Sequence, residues 1–149
     1  MVMSEATAEI LLVEDSPDDV EFFVHTFGKA GLAARLHVLP DGAEALEFIF
    51  CTGRHAHRNQ ANRPKVIIID LKLPKVNGLE VLRRLKADPN TRTIPVVVLS
   101  SSQEERDLIE SYELGVNSYV VKPMDFDEFG KSVRMLGQYW LQFNHTPKP

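Results

Sequence analysis

Val66-Ile67-Ile68-Ile69-Asp70-Leu71-Lys72-Leu73-Pro74 is the stretch that decides the fold. Four β-branched residues in a row are apolar on both faces of an extended chain. Such a strand belongs in the middle of a parallel sheet covered by helices on each side. The run ends on a single carboxylate, Asp70, at the carboxyl end of a central strand, where open α/β sheets bind their ligands.

Working outward, Ile10 to Val13 is a short apolar strand that runs into two acids, Glu14 and Asp15. Ser16 then Pro17 starts a helix, with Asp18 and Asp19 favourable at the positive end of its dipole. Val20, Phe23, Val24 and Phe27 follow at helical spacing, and Gly31 stops it. Arg35 to Leu39 alternates enough to lie near a sheet edge. Asp41 and Glu44 form a capping-box pattern ahead of Ala45, Leu46, Ile49 and Phe50. Thr52 to Pro64 has no periodicity, carries Arg54, Arg58 and Arg63, and reads as a long solvated basic loop.

Beyond the central strand, Asn77-Gly78 opens a helix with Leu79, Leu82 and Leu85 inward, ended by Asp88-Pro89-Asn90. Val96 to Leu99 is a second fully buried strand, followed by Ser100, Ser101 and Ser102. Ser102 with Glu105 reads as another capping box, before a helix using Leu108, Ile109 and Tyr112. Asn117 to Val121 is the fifth strand, closing on Lys122-Pro123. Asp125 with Glu128 caps a last helix whose stripe is Phe126, Phe129, Val133, Leu136 and Trp140. Five strands alternating with five helices predict an α/β, doubly wound parallel sheet.

With 149 residues, one domain is the simplest reading, large enough for a core without staples. The expected boundaries are a flexible amino-terminal tail over 1–8, a domain over 9–143 and a carboxyl-terminal tail over 144–149. A net charge of −4 gives no basic surface for nucleic acid or anionic membrane. No apolar stretch is long enough to span a membrane, and Met1 to Glu9 lacks a signal-peptide pattern. The single cysteine, Cys51, excludes an internal disulfide and fits a reducing compartment. The expectation is a cytoplasmic protein without nucleic-acid or membrane partners.

Glu14, Asp15 and Asp70 fall at the ends of strands expected to be neighbours. Three uncompensated carboxylates in one crevice raise each other's pKa unless a cation sits among them, and a hard, oxygen-only site suits Mg²⁺. Lys122 at the end of strand five supplies an ammonium, and Ser100 at the end of strand four a hydroxyl. Together they make a site for phosphoryl transfer to a carboxylate, with Asp70 attacking in line. Taken singly each signal is bland: paired acids before a helix are more often a cap and a solvated turn, and a lysine before proline is usually unremarkable. The weight lies in four such residues at successive strand ends.

Leu11-Leu12-Val13-Glu14-Asp15, Asp70 followed by Leu73-Pro74 and Gly78, Ser100, and Tyr119-Val120-Val121-Lys122-Pro123 resemble the receiver domain of bacterial response regulators, over residues 9 to 142. The resemblance implies a flavodoxin-like strand order 2-1-3-4-5. It implies that Asp70 is phosphorylated by a sensor histidine kinase in a two-component phosphorelay. Glu14, Asp15, Asp70 and the backbone carbonyl of Lys72 would hold Mg²⁺, and Lys122 would pair with the phosphoryl oxygens. Ser100 would swing toward the phosphoryl group with Tyr119 moving inward as the switch, and the Lys122-Pro123 peptide would be cis. Lys72 and Ser102 stand where the family tunes phosphoryl lifetime. Catalysis would be limited to Mg-dependent self-phosphorylation and autodephosphorylation, signalled through the face of helix four, strand five and helix five. The long loop before strand three, Gly115-Val116-Asn117-Ser118 and the ending Tyr139-Trp140-Leu141 with Asn144 resemble single-domain regulators partnered with phytochrome-type kinases. No effector domain is expected after the last helix.

Two rivals were weighed. A phosphorylation-independent adaptor on the same fold is opposed by the intact set of Glu14, Asp15, Asp70, Ser100 and Lys122. An aspartyl-phosphate phosphatase is opposed by Lys72, where a second acid is required. Met135, Tyr139, Trp140 and Phe143 give the last helix more apolar surface than one stripe needs. They are expected to form a homodimer or kinase contact with close helix approach at Gly130 and Gly137; the competing reading is a long helix packed on its own domain. His55, His57 and Cys51 are too poorly spaced to be expected as a metal site.

Overall fold

The alternating faces of the strands build this molecule. The computed structural model describes residues 8–147. Its strands are β1 (Ile10–Val13), β2 (Leu36–Leu39), β3 (Val66–Ile69), β4 (Val96–Ser100) and β5 (Ser118–Val121). The helices are α1 (Pro17–Lys29), α2 (Gly42–Phe50), α3 (Gly78–Ala87), α4 (Glu105–Glu113) and α5 (Phe126–Gln138). All strand pairs are parallel in the order β2-β1-β3-β4-β5, as expected.

Because successive side chains point to opposite faces, each central strand feeds two cores. Leu11, Val13, Ile67, Ile69, Val96 and Val98 meet Phe48, Ile49, Val81, Leu82 and Leu85 on one side. Ile10, Leu12, Ile68, Val97 and Leu99 meet Phe23, Phe27, Phe129, Val133 and Trp140 on the other. Each fully buried side chain of this kind contributes about 1.5–3 kcal/mol. Of the predicted amino-terminal tail, residues 1–7 lie outside the described residues, while Ala8 is buried.

Several helix faces differ from the sequence reading. In α1 it is Phe22 that packs, stacked 5.0 Å from Phe129, while Val24 is exposed. In α4, Ile109 and Tyr112 are exposed rather than inward, Leu108 is half-buried, and Ser111 is the fully buried residue. The α4 cap is Glu104, one residue before the helix. Ser102 instead donates to Asp107 Oδ2 at 2.6 Å and accepts from the Glu104 N–H at 3.3 Å, so no Ser102–Glu105 capping box forms. In α5 Phe126 is 75% exposed, stacking on Phe22 at 5.5 Å rather than entering the core.

The last helix continues as a π-helical turn over Tyr139–Phe143, closed by the Asn144 N–H donating to the Tyr139 carbonyl at 2.7 Å. Trp140 and Leu141 of this turn lie in the core. Trp140, expected both in the core stripe of the last helix and on its contact face, is only 7% exposed, which agrees with the stripe and not with the contact face. Gly130 and Gly137 are also inward. A β-carbon on Gly137 would sit 3.0 Å from the Phe27 ring, so the close helix approach at the glycines is between α1 and α5 of one chain.

Thr52 to Pro64 is not simply solvated. Gly53–His55 forms a 3-10 turn, and His55 is buried with its Nε2 3.0 Å from Glu44 Oε2. The Arg58 guanidinium lies 3.7 Å over the Phe48 ring and donates to the Phe48 carbonyl. Basic side chains with long apolar stems can cover a core edge, which a charge count does not show. Cys51, His55 and His57 form no group arranged to hold a metal.

At the amino ends of the strands, Glu9 ties three segments together. Its carboxylate accepts from Arg35, ahead of β2, and from Lys65 Nζ at 2.9 Å, ahead of β3. The Arg35 hydrogen bond, joined by Lys65 and opposed by partial burial, holds the Glu9 carboxyl down to about 2 from 4.5. A lowered carboxyl stabilises the fold above its unfolded pKa, and that contribution is lost as pH falls from 4.5 toward 2. Glu9→Gln is therefore expected to cost about 1 kcal/mol at pH 7, discounted for its exposure. Urea denaturation at pH 7, 4 and 3 should show the deficit closing as the wild type loses its own pair.

Candidate functional site

The carboxyl ends of β1, β3 and β5 converge on one ammonium. Lys122, just past β5, is fixed by its backbone N–H, which donates to the Ser100 carbonyl at 2.8 Å. Its Nζ donates to three carboxylates: Glu14 Oε1 at 2.6 Å, Asp19 Oδ2 at 2.7 Å and Asp70 Oδ2 at 2.8 Å. These contacts span β1, the first turn of α1, β3 and β5. Burial by itself would lower the lysine, but the three carboxylates outweigh it and raise its pKa. Glu14 moves the other way from a typical ion-paired acid: burial pushes it up more than Lys122 pulls it down.

Asp70 is buried and has two set partners. Oδ2 meets Lys122, and Oδ1 accepts from the Lys72 N–H at 3.1 Å. The loop behind it is held by space as much as by bonds. The Gly78 N–H donates to the Leu71 carbonyl at 2.9 Å, and a β-carbon on Gly78 would lie 2.3 Å from the Asp70 carbonyl oxygen. Gly42 makes a similar approach to the Val76 carbonyl, pressing α2 against the same loop.

The predicted residues divide. Glu14, Asp70 and Lys122 are in direct contact. Asp15 is exposed at the rim and makes no contact with Lys122, while both the Asp15 and Ser16 N–H groups donate to Glu14 Oε2 at 3.1 and 3.2 Å. Lys72 is exposed, with its backbone at the site. Ser100 is fully buried, its Oγ accepting from the Ser102 N–H at 3.2 Å. The Tyr119 hydroxyl donates to the Ser102 carbonyl at 2.9 Å, and burial raises its pKa. The Lys122-Pro123 peptide, expected cis, is trans; no cis bond occurs among the described residues. Trans is the intrinsically favoured isomer, and Lys122 makes all three carboxylate contacts with it.

Asp19 is the residue the sequence reading missed as part of the site, having assigned it only to the helix dipole. The available signal was position: the third residue of a helix starting directly after β1 stands over the strand end, facing the same crevice as Glu14. A concavity between α1 and α5, lined by Phe22, His25, Phe126 and Arg134, lies apart from Asp70.

Residues 10–134 match the response regulator receiver domain family. The chain belongs to that family. This receiver is 38% identical over 133 residues to response regulator Rcp1 of a Synechocystis strain, covering 89% of this chain and 88% of Rcp1. It superposes on the Mn(2+)-bound form of Rcp1 with a TM-score of 0.85, covering 93% of this chain and 97% of that one. The phosphorylated cyanobacterial phytochrome response regulator RcpA gives a TM-score of 0.85 at 34% identity, covering 93% of this receiver and 97% of RcpA. The bacteriophytochrome response regulator AtBRR is 48% identical, with a TM-score of 0.70, covering 91% and 96% of the two chains. No helix among the described residues is long and apolar enough to cross a membrane.

Proposed function

We propose that this receiver carries a phosphoryl group on Asp70, taken from the phosphohistidine of a phytochrome-type sensor kinase in the cytoplasm. The observation that carries the reading is the Lys122–Asp70 contact of 2.8 Å, which sets an ammonium beside a buried carboxylate at the end of the central strand. In the transfer an Asp70 carboxylate oxygen bonds to phosphorus while the bond from phosphorus to the donor histidine nitrogen breaks. Lys122 offsets the charge on the phosphoryl oxygens. Ser100 reaches the group by giving up its bond from the Ser102 N–H, and Tyr119 follows by leaving the Ser102 carbonyl.

Three carboxylates against one ammonium leave the crevice net negative, and Asp15 at its rim adds another charge. Oxygen donors from Asp15, Asp70 and the Lys72 carbonyl suit Mg²⁺, which keeps several waters, with Glu14 helping to hold it. When bound, the ion supplies electrophilic stabilisation of the phosphoryl oxygens. The Mn(2+)-bound form of Rcp1 and the phosphorylated form of RcpA support this assignment. The phytochrome regulators among the relatives support the choice of kinase. The only chemistry assigned to the domain is its own phosphorylation and dephosphorylation; the adaptor reading leaves the buried Lys122–Asp70–Glu14 cluster without a purpose.

Intact mass after incubation with acetyl phosphate and Mg²⁺ tests the reading. The expected result is a gain of one phosphoryl group that disappears with a chelator; an unchanged mass would overturn it. We also assign Met135, Tyr139 and Phe143, all exposed, to a homodimer contact, with Trp140 behind them as packing. Sedimentation at tens of micromolar should show a dimer; a monomer with and without beryllofluoride would remove that assignment.

A further inference from the structure

Asp19 belongs to neither the proposed metal donors nor the phosphoacceptor, yet it holds Lys122 as closely as they do. From this we infer that Asp19 is a positioning residue, which anchors the Lys122 ammonium through the whole phosphorylation cycle. The inference rests on the reading of Asp70 as phosphoacceptor.

The ammonium has three N–H donors and, in this structure, three carboxylate acceptors. Two of those acceptors have other duties. One oxygen of Asp70 is the nucleophile and becomes bonded to phosphorus. Glu14 already accepts two backbone N–H groups on its other oxygen and is assigned to hold the metal. The Asp19 carboxylate has Lys122 as its one hydrogen-bonding partner among the described residues. Its contact need not change when Asp70 is modified.

The scaffold behind Asp19 is rigid. Pro17 opens α1, and the Ser16 hydroxyl caps the Asp19 N–H at 3.3 Å, so the first turn cannot slide. Lys122 hangs on a flexible four-carbon stem, and an ammonium left to wander would meet the phosphoryl oxygens in few of its rotamers. A partner held by the helix confines it, which is the preorganisation that lowers a charge-developing barrier. Asp19 also repels an incoming anion, but the ammonium stands between them at contact distance. Attraction over the shorter path exceeds repulsion over the longer one.

The test compares Asp19→Asn, Asp19→Glu and wild type with acetyl phosphate and Mg²⁺, each also in a Lys122→Gln background. Asp19→Asn should lower the limiting phosphorylation rate about fivefold while leaving the half-saturating acetyl phosphate concentration unchanged. Asp19→Glu should recover part of that loss. With Lys122→Gln in place, Asp19→Asn should have no further effect, because there is no ammonium left to hold. An equal loss in both backgrounds, or no loss in either, overturns the inference. A second readout needs no phosphorylation: nitrogen-15 spectra should show a protected Lys122 ammonium signal that broadens or vanishes in Asp19→Asn. An unchanged signal overturns the anchor alone, whereas a wild type that gains no phosphoryl group overturns the phosphoacceptor reading.

Discussion

Asp70→Asn is expected to abolish the phosphoryl gain from acetyl phosphate while leaving the domain folded and more heat-stable than the wild type in metal-free buffer. The two effects share one cause. The amide cannot act as the nucleophile; its single oxygen can keep the contact with Lys122, while its NH2 group takes the place of the oxygen that accepts from the Lys72 N–H. What disappears is one of the carboxylates crowded around one ammonium, and with it part of their mutual repulsion. A gain near 1 kcal/mol corresponds to about 2–4 °C in a domain of this size. Added Mg²⁺ should raise the melting temperature of the wild type more than that of the variant, since a ligand stabilises by binding the native state. Mass spectrometry and thermal melts with and without Mg²⁺ check both halves. A variant that still gains a phosphoryl group would place the acceptor elsewhere.

Gly78→Ala is expected to damage both the fold and the site, because the added methyl strikes the backbone of Asp70 itself. The new β-carbon would lie 2.3 Å from the Asp70 carbonyl oxygen and 2.8 Å from the Leu71 α-carbon. Both are backbone atoms of the loop that carries the acceptor, so no side chain can turn away to make room. Forced overpacking of this kind costs about 1–3 kcal/mol. The displaced loop carries Asp70 with it, and a shift near 1 Å lowers the rate of an oriented reaction on the order of a hundredfold. Gly130→Ala is the natural comparison, because its added carbon would meet Arg134 and Phe22 side chains at an ordinary 3.5 Å. Denaturant titration and phosphorylation rates on both variants separate crowding at the loop from a general intolerance of alanine. Equal behaviour of the two would refute this account.

The strands were legible because burial on both faces leaves an unmistakable mark: Val66–Ile69 and Ile10–Val13 are continuous apolar runs, and both lie where the sequence places them. That Asp70, Lys122 and Glu14 come together was legible for the same reason, since each is a polar residue closing such a run. Legibility failed where long side chains decide the outcome. Asp19 looked like any acid in a first helical turn, and only three-dimensional proximity joins it to Lys122 across 103 residues of sequence. Helical spacing gave Ile109, Tyr112 and Phe126 an apolar stripe, but spacing says nothing about whether a neighbour stands opposite. Trp140 was legible from the helical stripe it shares with Phe129 and Val133, and only its second assignment, to the contact face beside Met135, Tyr139 and Phe143, fails.

The thin anchoring of α4 has a further consequence. It follows β4 after a four-residue turn, its one fully buried residue is the small Ser111, Leu108 is half-buried, and Ile109 and Tyr112 already face outward. Moving it therefore uncovers little new apolar surface, so two placements of this helix differ by little free energy. Ser102, which donates to Asp107 of α4 at 2.6 Å and through its N–H to the Ser100 hydroxyl, links α4 to the proposed site. The domain thus pairs a deeply buried sheet with one helix held by little buried apolar surface, and a side-chain hydrogen bond from Ser102 is a large share of what holds it.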